Sequence, residues 1–154
     1  MVTELPFIDE FDTTVEASAP LVFEATARTI GRSFEGSLAR AFSGLLGCVH
    51  RGTSYTVPPV EGQEANGFRV ESVRPPTRLV LEGRHRFAMY RLSFFIEPLA
   101  EGRSHLRART DALFPGFLGA VYRALVIGTG GHEIVVRRML AGVARRAERL
   151  ENAK

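Results

Sequence analysis

The spacing of apolar and polar positions changes period three times along the chain. From Phe7 to Ala17 the two alternate, with Phe7, Asp9, Phe11, Thr13 and Val15 on one face and mostly polar residues on the other. A period of two predicts a half-buried strand. Ser18-Ala19-Pro20 then opens a helix: a Ser able to cap, and a Pro in the first turn where its missing N–H costs nothing. Val22, Phe23, Thr26 and Ile30 fall at helical spacing before Gly31. Phe34, Leu38, Phe42 and Leu45 predict a second short helix, ending near Gly44 and Gly47.

From residue 48 the period returns to two. Val49 to Val57 is a weak strand stopped by Pro58-Pro59, and residues 60–66 read as a loop. Phe68 to Val73, Arg78 to Phe87, Met89 to Leu99 and Arg103 to Phe114 follow as strands, with turn signals at Pro75-Pro76 and Ala100-Glu101-Gly102. Leu79, Leu81, Gly83 and His85 share a face, as do Tyr90, Leu92, Phe94 and Ile96, and then Leu106, Ala108, Thr110 and Ala112. Arg84, Arg86, Arg91, Arg107 and Arg109 take the opposite faces. Such one-sided alternation predicts an antiparallel sheet with one wet face.

Pro115-Gly116 opens a last helical region that reaches Leu150. Its stripe is Leu118, Val121, Leu125, His132, Val136, Met139, Val143 and Leu150, interrupted by Gly128-Thr129-Gly130-Gly131. Three glycines in four helical positions cost roughly 2–3 kcal/mol relative to alanine, so the helix bends or breaks there. The elements add up to an α+β fold. A curved antiparallel sheet of about six strands wraps a long kinked C-terminal helix, and two short helices follow the first strand. A long helix lying across a curved sheet leaves a gap, and that gap is where function is expected.

The 154 residues suit one domain spanning 1–154. The single cysteine, Cys48, rules out an intrachain disulfide and a Cys-based zinc site. The acidic start of the chain is the opposite of a secretory leader. The most apolar stretch, Gly116 to Gly128, is too short to span a bilayer. A cytoplasmic protein is the expectation. The net charge of +3 is unevenly placed: residues 1–40 hold seven acids and three bases, and the remainder ten acids and seventeen bases. All but one of the twenty basic residues are Arg, without aromatic interleaving or a nucleic-acid motif, so nucleic acid is not the expected partner.

Val15 to Phe23 resembles the first-strand-to-helix signature of the START-like superfamily, the helix-grip fold of birch-pollen-type allergens, lipid-transfer domains and polyketide cyclases. Phe68 to Leu81 resembles its strand–Pro-Pro–strand hairpin. Gly119 to Glu148, with Tyr122, His132 and the Arg-Met-Leu of 138–140, is similar to the closing helix of a bacterial branch. The resemblance covers nearly the whole chain and implies an internal apolar cavity between sheet and C-terminal helix. It does not imply one function, because this fold hosts carriers, sensors, enzymes and protein-binding modules.

Several chemistries are absent. His132-Glu133 begins like a zincin helix, but Val136 stands where the second ligand belongs. No nucleophile elbow or dinucleotide fingerprint occurs. Cys48 and His50 share a strand face without a third orienting group, so Cys48 reads as an inert core thiol. The four histidines are too scattered for a metal set. His105 sits on the wet face. His85 lies among leucines next to Gly83, either as a hydrogen-bonded rim residue or as a polar group at the cavity end. His132 follows the glycine break, either satisfying local backbone or orienting a ligand. Tyr90 faces inward and Tyr122 lies near the edge of the stripe, each either as core or as a hydroxyl donor.

The expected function is binding of a small hydrophobic or amphipathic molecule, such as a lipid, isoprenoid or polyketide-like compound. Leu81, Leu92, Phe94, Leu106, Leu125 and Met139 are expected to form the wall, helped by Leu79 and Ala108. His85, Tyr90, Tyr122 and His132 are expected as polar contacts. The alternative is a cyclase or dehydratase acting on a polyketide-like substrate in the same cavity. There, His132 or His85 is the base and Tyr90 the proton donor. A protein-interaction module with a filled core is a third option. No cofactor and no metal are expected, and a homodimer is left open.

Overall fold

The computed structural model describes residues 4–33, 46–49, 52–65 and 67–154. Among these, β1 (Phe7–Val15) leads into α1 (Ala19–Ser33). Then come β2 (Glu64–Ala65), β3 (Phe68–Arg74), β4 (Arg78–His85), β5 (Ala88–Pro98) and β6 (Ser104–Leu113). The chain closes with α2 (Gly116–Arg123), a π-helical turn (Ala124–Gly128) and α3 (Gly131–Asn152). The strands form one antiparallel sheet in the order β1-β6-β5-β4-β3-β2. β1 crosses to the far edge because its partner, β6, is the last strand made.

The apolar face carries the core. Val15, Val70, Leu79, Leu81, Phe94 and Leu106 are sealed from solvent. They pack against Val22 and Ile30 of α1 and Val136, Leu140 and Val143 of α3. Burying side chains of this size stabilises by about 1.5–3 kcal/mol each. The far end of α3 is tied back to the β1–α1 junction. The Glu16 and Ser18 backbone N–H groups donate to Glu148 Oε1 and Glu151 Oε2, satisfying donors at the start of α1.

The expected wet face is observed. Arg69 pairs with Glu82 at 2.9 Å, Arg91 with Glu71 at 2.8 Å and Arg109 with Asp111 at 3.0 Å. Arg107 lies 5.1 Å over the Phe95 ring. Phe7 belongs to this face too, 56% exposed with Arg109 stacked over it. The β1–β6 register shifts between Phe7 and Asp9. That irregularity reverses the alternation, so Asp9, Phe11 and Val15 face inward while Phe7 does not.

Two expectations need correction. Within Val49 to Val57 the described residues form no strand, and the pairing falls on Glu64–Ala65, inside the expected loop. Side chains, beside single backbone bonds from Val49 to Arg84 and from Tyr55 to Glu64, satisfy this stretch where a ladder would have done so. The Gly52 N–H donates to Glu64 Oε1, those of Thr56 and Val60 to Gln63 Oε1, and that of Glu64 to Ser54 Oγ. Local side-chain bonds of this kind compete with strand pairing. The helix expected over Phe34 to Leu46 lies almost wholly outside the described residues.

The glycine cluster breaks the C-terminal helix as expected. Gly130 adopts φ 78°, a left-handed conformation, and α3 starts at the next residue. The Thr129 hydroxyl donates back to the Leu125 carbonyl. Upstream, Gly83 of β4 lies directly opposite Tyr90 of β5. A Cβ at Gly83 would collide with the Tyr90 ring and the Gly67 carbonyl. Gly83→Ala is therefore expected to destabilise the protein by about 1–3 kcal/mol, the usual cost of overpacking. A urea denaturation midpoint unchanged from wild type would contradict this.

Candidate functional site: an aromatic cavity with two histidines

Beyond the reach of the α1–α3 core, the sheet continues at the C-terminal ends of β4 and β6 and the start of β5. The inward side chains there are small or polar: Gly83, His85, Ala88, Thr110 and Ala112. The break before α3 throws α2 and the π turn across this end as a separate cover. A cavity of about 370 Å³ remains between cover and sheet, within the range of small-molecule sites.

Gly119 sets the face that α2 presents. A Cβ there would come within 2.7–3.2 Å of the Phe114 backbone and the Phe87 carbonyl. With Gly119 turned inward, helical spacing brings Tyr122 and Val126 onto the cavity, joined by Ile127. The opposite face of the same segment is also apolar and stays in solvent. Phe117 is 82% exposed, and Leu118 and Leu125 are each 64% exposed. Leu125 is thus placed outside. Leu81, Phe94 and Leu106 lie in the solid core, and Met139 packs against that core. Of the expected site residues, His85, Tyr90, Leu92, Tyr122 and His132 border the cavity together.

These residues form two polar clusters. In the first, the His85 ring contacts Tyr122 (centroids 4.9 Å apart), Tyr90 (5.4 Å) and Phe87 (6.1 Å). The Phe87 backbone N–H donates to His85 Nδ1 at 3.1 Å. That bond makes Nδ1 an acceptor, so the proton of the neutral ring sits on Nε2. Burial lowers the pKa of His85 from its ordinary 6.5, in keeping with a neutral ring. The Tyr90 hydroxyl donates to the Gly67 carbonyl at 2.6 Å. Burial raises its pKa, and the neighbouring Cys48 thiol adds to the effect. Burial also raises the pKa of Tyr122. Cys48 is placed by backbone bonds from Val49 to Arg84 and from Arg86 to Leu46.

The second cluster is Asp9, Thr110 and His132. Asp9 and Thr110 are directly opposed in the β1–β6 ladder, and His132 stands on the first turn of α3 above them. His132 Nε2 lies 3.0 Å from Thr110 Oγ1 and 3.4 Å from Asp9 Oδ1. Asp9 Oδ1 is buried without a hydrogen bond. The sequence reading missed Asp9 as a site residue. Its signal was an acid at an inward-facing period-two position. No cluster of His, Cys, Asp and Glu able to hold a metal occurs among the described residues.

No protein-family model and no curated protein sequence matches the chain. Solved structures do. The ZhuI aromatase/cyclase of a Streptomyces matches with a TM-score of 0.55 and 14% identity over 95% of both chains. A START superfamily protein from Mycobacterium smegmatis matches with a TM-score of 0.52 and 16% identity, over 94% of this chain and 99% of that one. The di-domain aromatase/cyclase BexL matches with a TM-score of 0.52 and 16% identity, over 91% of this chain and 46% of that chain. The protein has the START-like helix-grip fold. Among the described residues no helix is long and apolar enough to cross a membrane.

The His85 tautomer has a consequence for stability. An unfolded chain takes up this proton near pH 6.5, and the folded protein only at lower pH. Stability from His85 is therefore complete above pH 6.5 and is lost as pH falls through the folded value. His85→Phe is expected to flatten the decline of unfolding free energy below pH 6.5. Parallel urea titrations of both proteins across that range check it, and parallel slopes would contradict it.

Proposed function

We propose that the protein binds a small hydrophobic or amphipathic molecule, of lipid, isoprenoid or polyketide-like character, in the cavity under α2. The observation that supports this is the cavity itself. Its wall combines Leu92, Phe68, Phe114, Val126 and Ile127 with the few convergent polar groups of His85, Tyr122 and His132, the usual make-up of a small-molecule site. Burial of apolar ligand surface at about 25 cal/mol per Å² supplies most of the affinity. The occurrence of the same fold in a START superfamily protein and in aromatase/cyclases supports a ligand-holding role.

A second reading, catalysis of cyclisation or dehydration on a polyketide-like substrate, draws on the Asp9–His132 pair. A carboxylate beside an imidazole fixes the ring for proton transfer. Loss of turnover in His132→Phe without loss of binding would favour this reading, because the residue would then act on the transition state.

Filling the cavity tests the primary reading. Ala112 borders the cavity and is buried near the end of β6. Ala112→Trp is expected to abolish binding of a fluorescent naphthalene sulfonate while the far-ultraviolet circular dichroism of the fold is retained. Undiminished probe binding by a folded Ala112→Trp protein would place the binding site elsewhere.

A further inference from the structure

His85 and His132 border one cavity but are held by opposite edges of their rings. At His85 the Phe87 N–H occupies Nδ1, and the Nε2–H has no partner among the described residues. At His132 both neighbours meet Nε2, with Thr110 Oγ1 at 3.0 Å and Asp9 Oδ1 at 3.4 Å. The buried Asp9 oxygen has no other hydrogen-bond donor. A lone pair on Nε2 facing a buried carboxylate would leave two acceptors opposed, so the proton belongs on Nε2. That leaves His132 Nδ1 as a bare acceptor. Neither His85 Nε2 nor His132 Nδ1 is among the buried unpartnered atoms, so each can be reached from open space.

Resting on the cavity reading above, we infer that the ligand is a hydroxy-carbonyl compound. Its carbonyl oxygen accepts from His85 Nε2–H, and its hydroxyl donates to His132 Nδ1. The two rings carry the same tautomer but leave opposite nitrogens unpaired at the wall of one cavity. The site therefore has a polarity: one donor and one acceptor in a wall that is otherwise largely apolar. A pure hydrocarbon leaves both nitrogens unpaired, and a diketone leaves Nδ1 facing another acceptor. Tyr122 lies against His85, and its hydroxyl has no partner among the described residues. It is free to give the same carbonyl a second donor. The Tyr90 hydroxyl is committed to Gly67 and takes no part.

Two measurements test this, and they fail separately from the cavity reading. Long-range proton–nitrogen correlation spectra of the ligand-free protein at mildly alkaline pH should show both rings protonated on Nε2. A His132 ring protonated on Nδ1 would overturn the assignment whatever binds. Binding is then compared for three naphthalenes. The first carries a hydroxymethyl group at one end and an acetyl group at the other. The second is its methyl ether, and the third has ethyl in place of acetyl. The second and third are each expected to bind roughly 3- to 10-fold more weakly, the worth of one hydrogen bond. His132→Phe should erase the alcohol–ether difference only, and His85→Phe the acetyl–ethyl difference only. Equal binding of all three compounds overturns the inference and leaves the cavity reading standing. Absence of binding by any of them counts against the cavity reading itself.

Discussion

A sheet with one apolar face must be covered, and the helices available here cover only part of it. α1 and α3 lie over the half that carries Val15, Leu79, Phe94 and Leu106, where large side chains interlock into a solid core. At the other end the sheet thins to Gly83, Ala88 and Ala112, and the cover becomes a separate segment. The glycine break between the π turn and α3 makes this division. Without it, one straight helix would run on along the axis of α3, and the sheet end would have no roof. Covering the sheet in two pieces leaves room between them, because the second piece meets the sheet through Gly119 and Tyr122 rather than through an aliphatic ridge.

The same division explains where polar groups are tolerated. Unpaired polar atoms inside the solid core would cost about 1–3 kcal/mol each. The fully buried hydroxyls there are accordingly satisfied, Thr26 by the Val22 carbonyl and Ser104 by the Ala17 carbonyl. At the cavity end, His85, Tyr122 and His132 each keep hydrogen-bonding capacity unspent. Their other edges are held by Phe87, by aromatic neighbours or by Asp9 and Thr110. Fixed rings with one unspent edge are what a recognition site needs, since little ordering entropy is then lost on binding.

Much of this was legible from periodicity. The alternation in β4, β5 and β6 placed the arginines outside and Leu92, His85 and Tyr90 inside. The cluster at 128–131 marked the helix break. What periodicity could not supply were the places where the period itself fails. One extra residue between Phe7 and Asp9 turned Phe7 outward. In α2 both faces are apolar, so the stripe through Leu118, Val121 and Leu125 looked as good as the one through Gly119, Tyr122 and Val126. The missing side chain of Gly119, invisible to a hydrophobicity count, decided between them. Val49 to Val57 reads as extended, but its partners are a mixture of single backbone carbonyls and the side chains of Gln63 and Glu64. Asp9 shares the face of Phe11 and Val15 by spacing, but an acid in a strand carries no signal of its own for a site, since most such acids are exposed.

The Asp9–His132–Thr110 cluster invites comparison with a nucleophilic triad, and its geometry argues against one. In a triad the acid and the nucleophile occupy different ring nitrogens, so that the base can take the hydroxyl proton while the acid holds the opposite N–H. Here Asp9 and Thr110 converge on the same Nε2. If that nitrogen carries its proton toward Asp9, it cannot accept one from Thr110. If it is bare, no acid holds the opposite N–H, because Asp9 stands at Nε2 and not at Nδ1. Thr110 therefore lacks the arrangement of a triad nucleophile. The chemistry left to the cluster is at Nδ1: accepting a hydrogen bond from a bound molecule, or removing a proton from it. On the proposed function, ligand binding and proton abstraction would share that single atom. On the same proposed function, a carrier and a cyclase built on this cavity would differ in what the ligand places against that nitrogen.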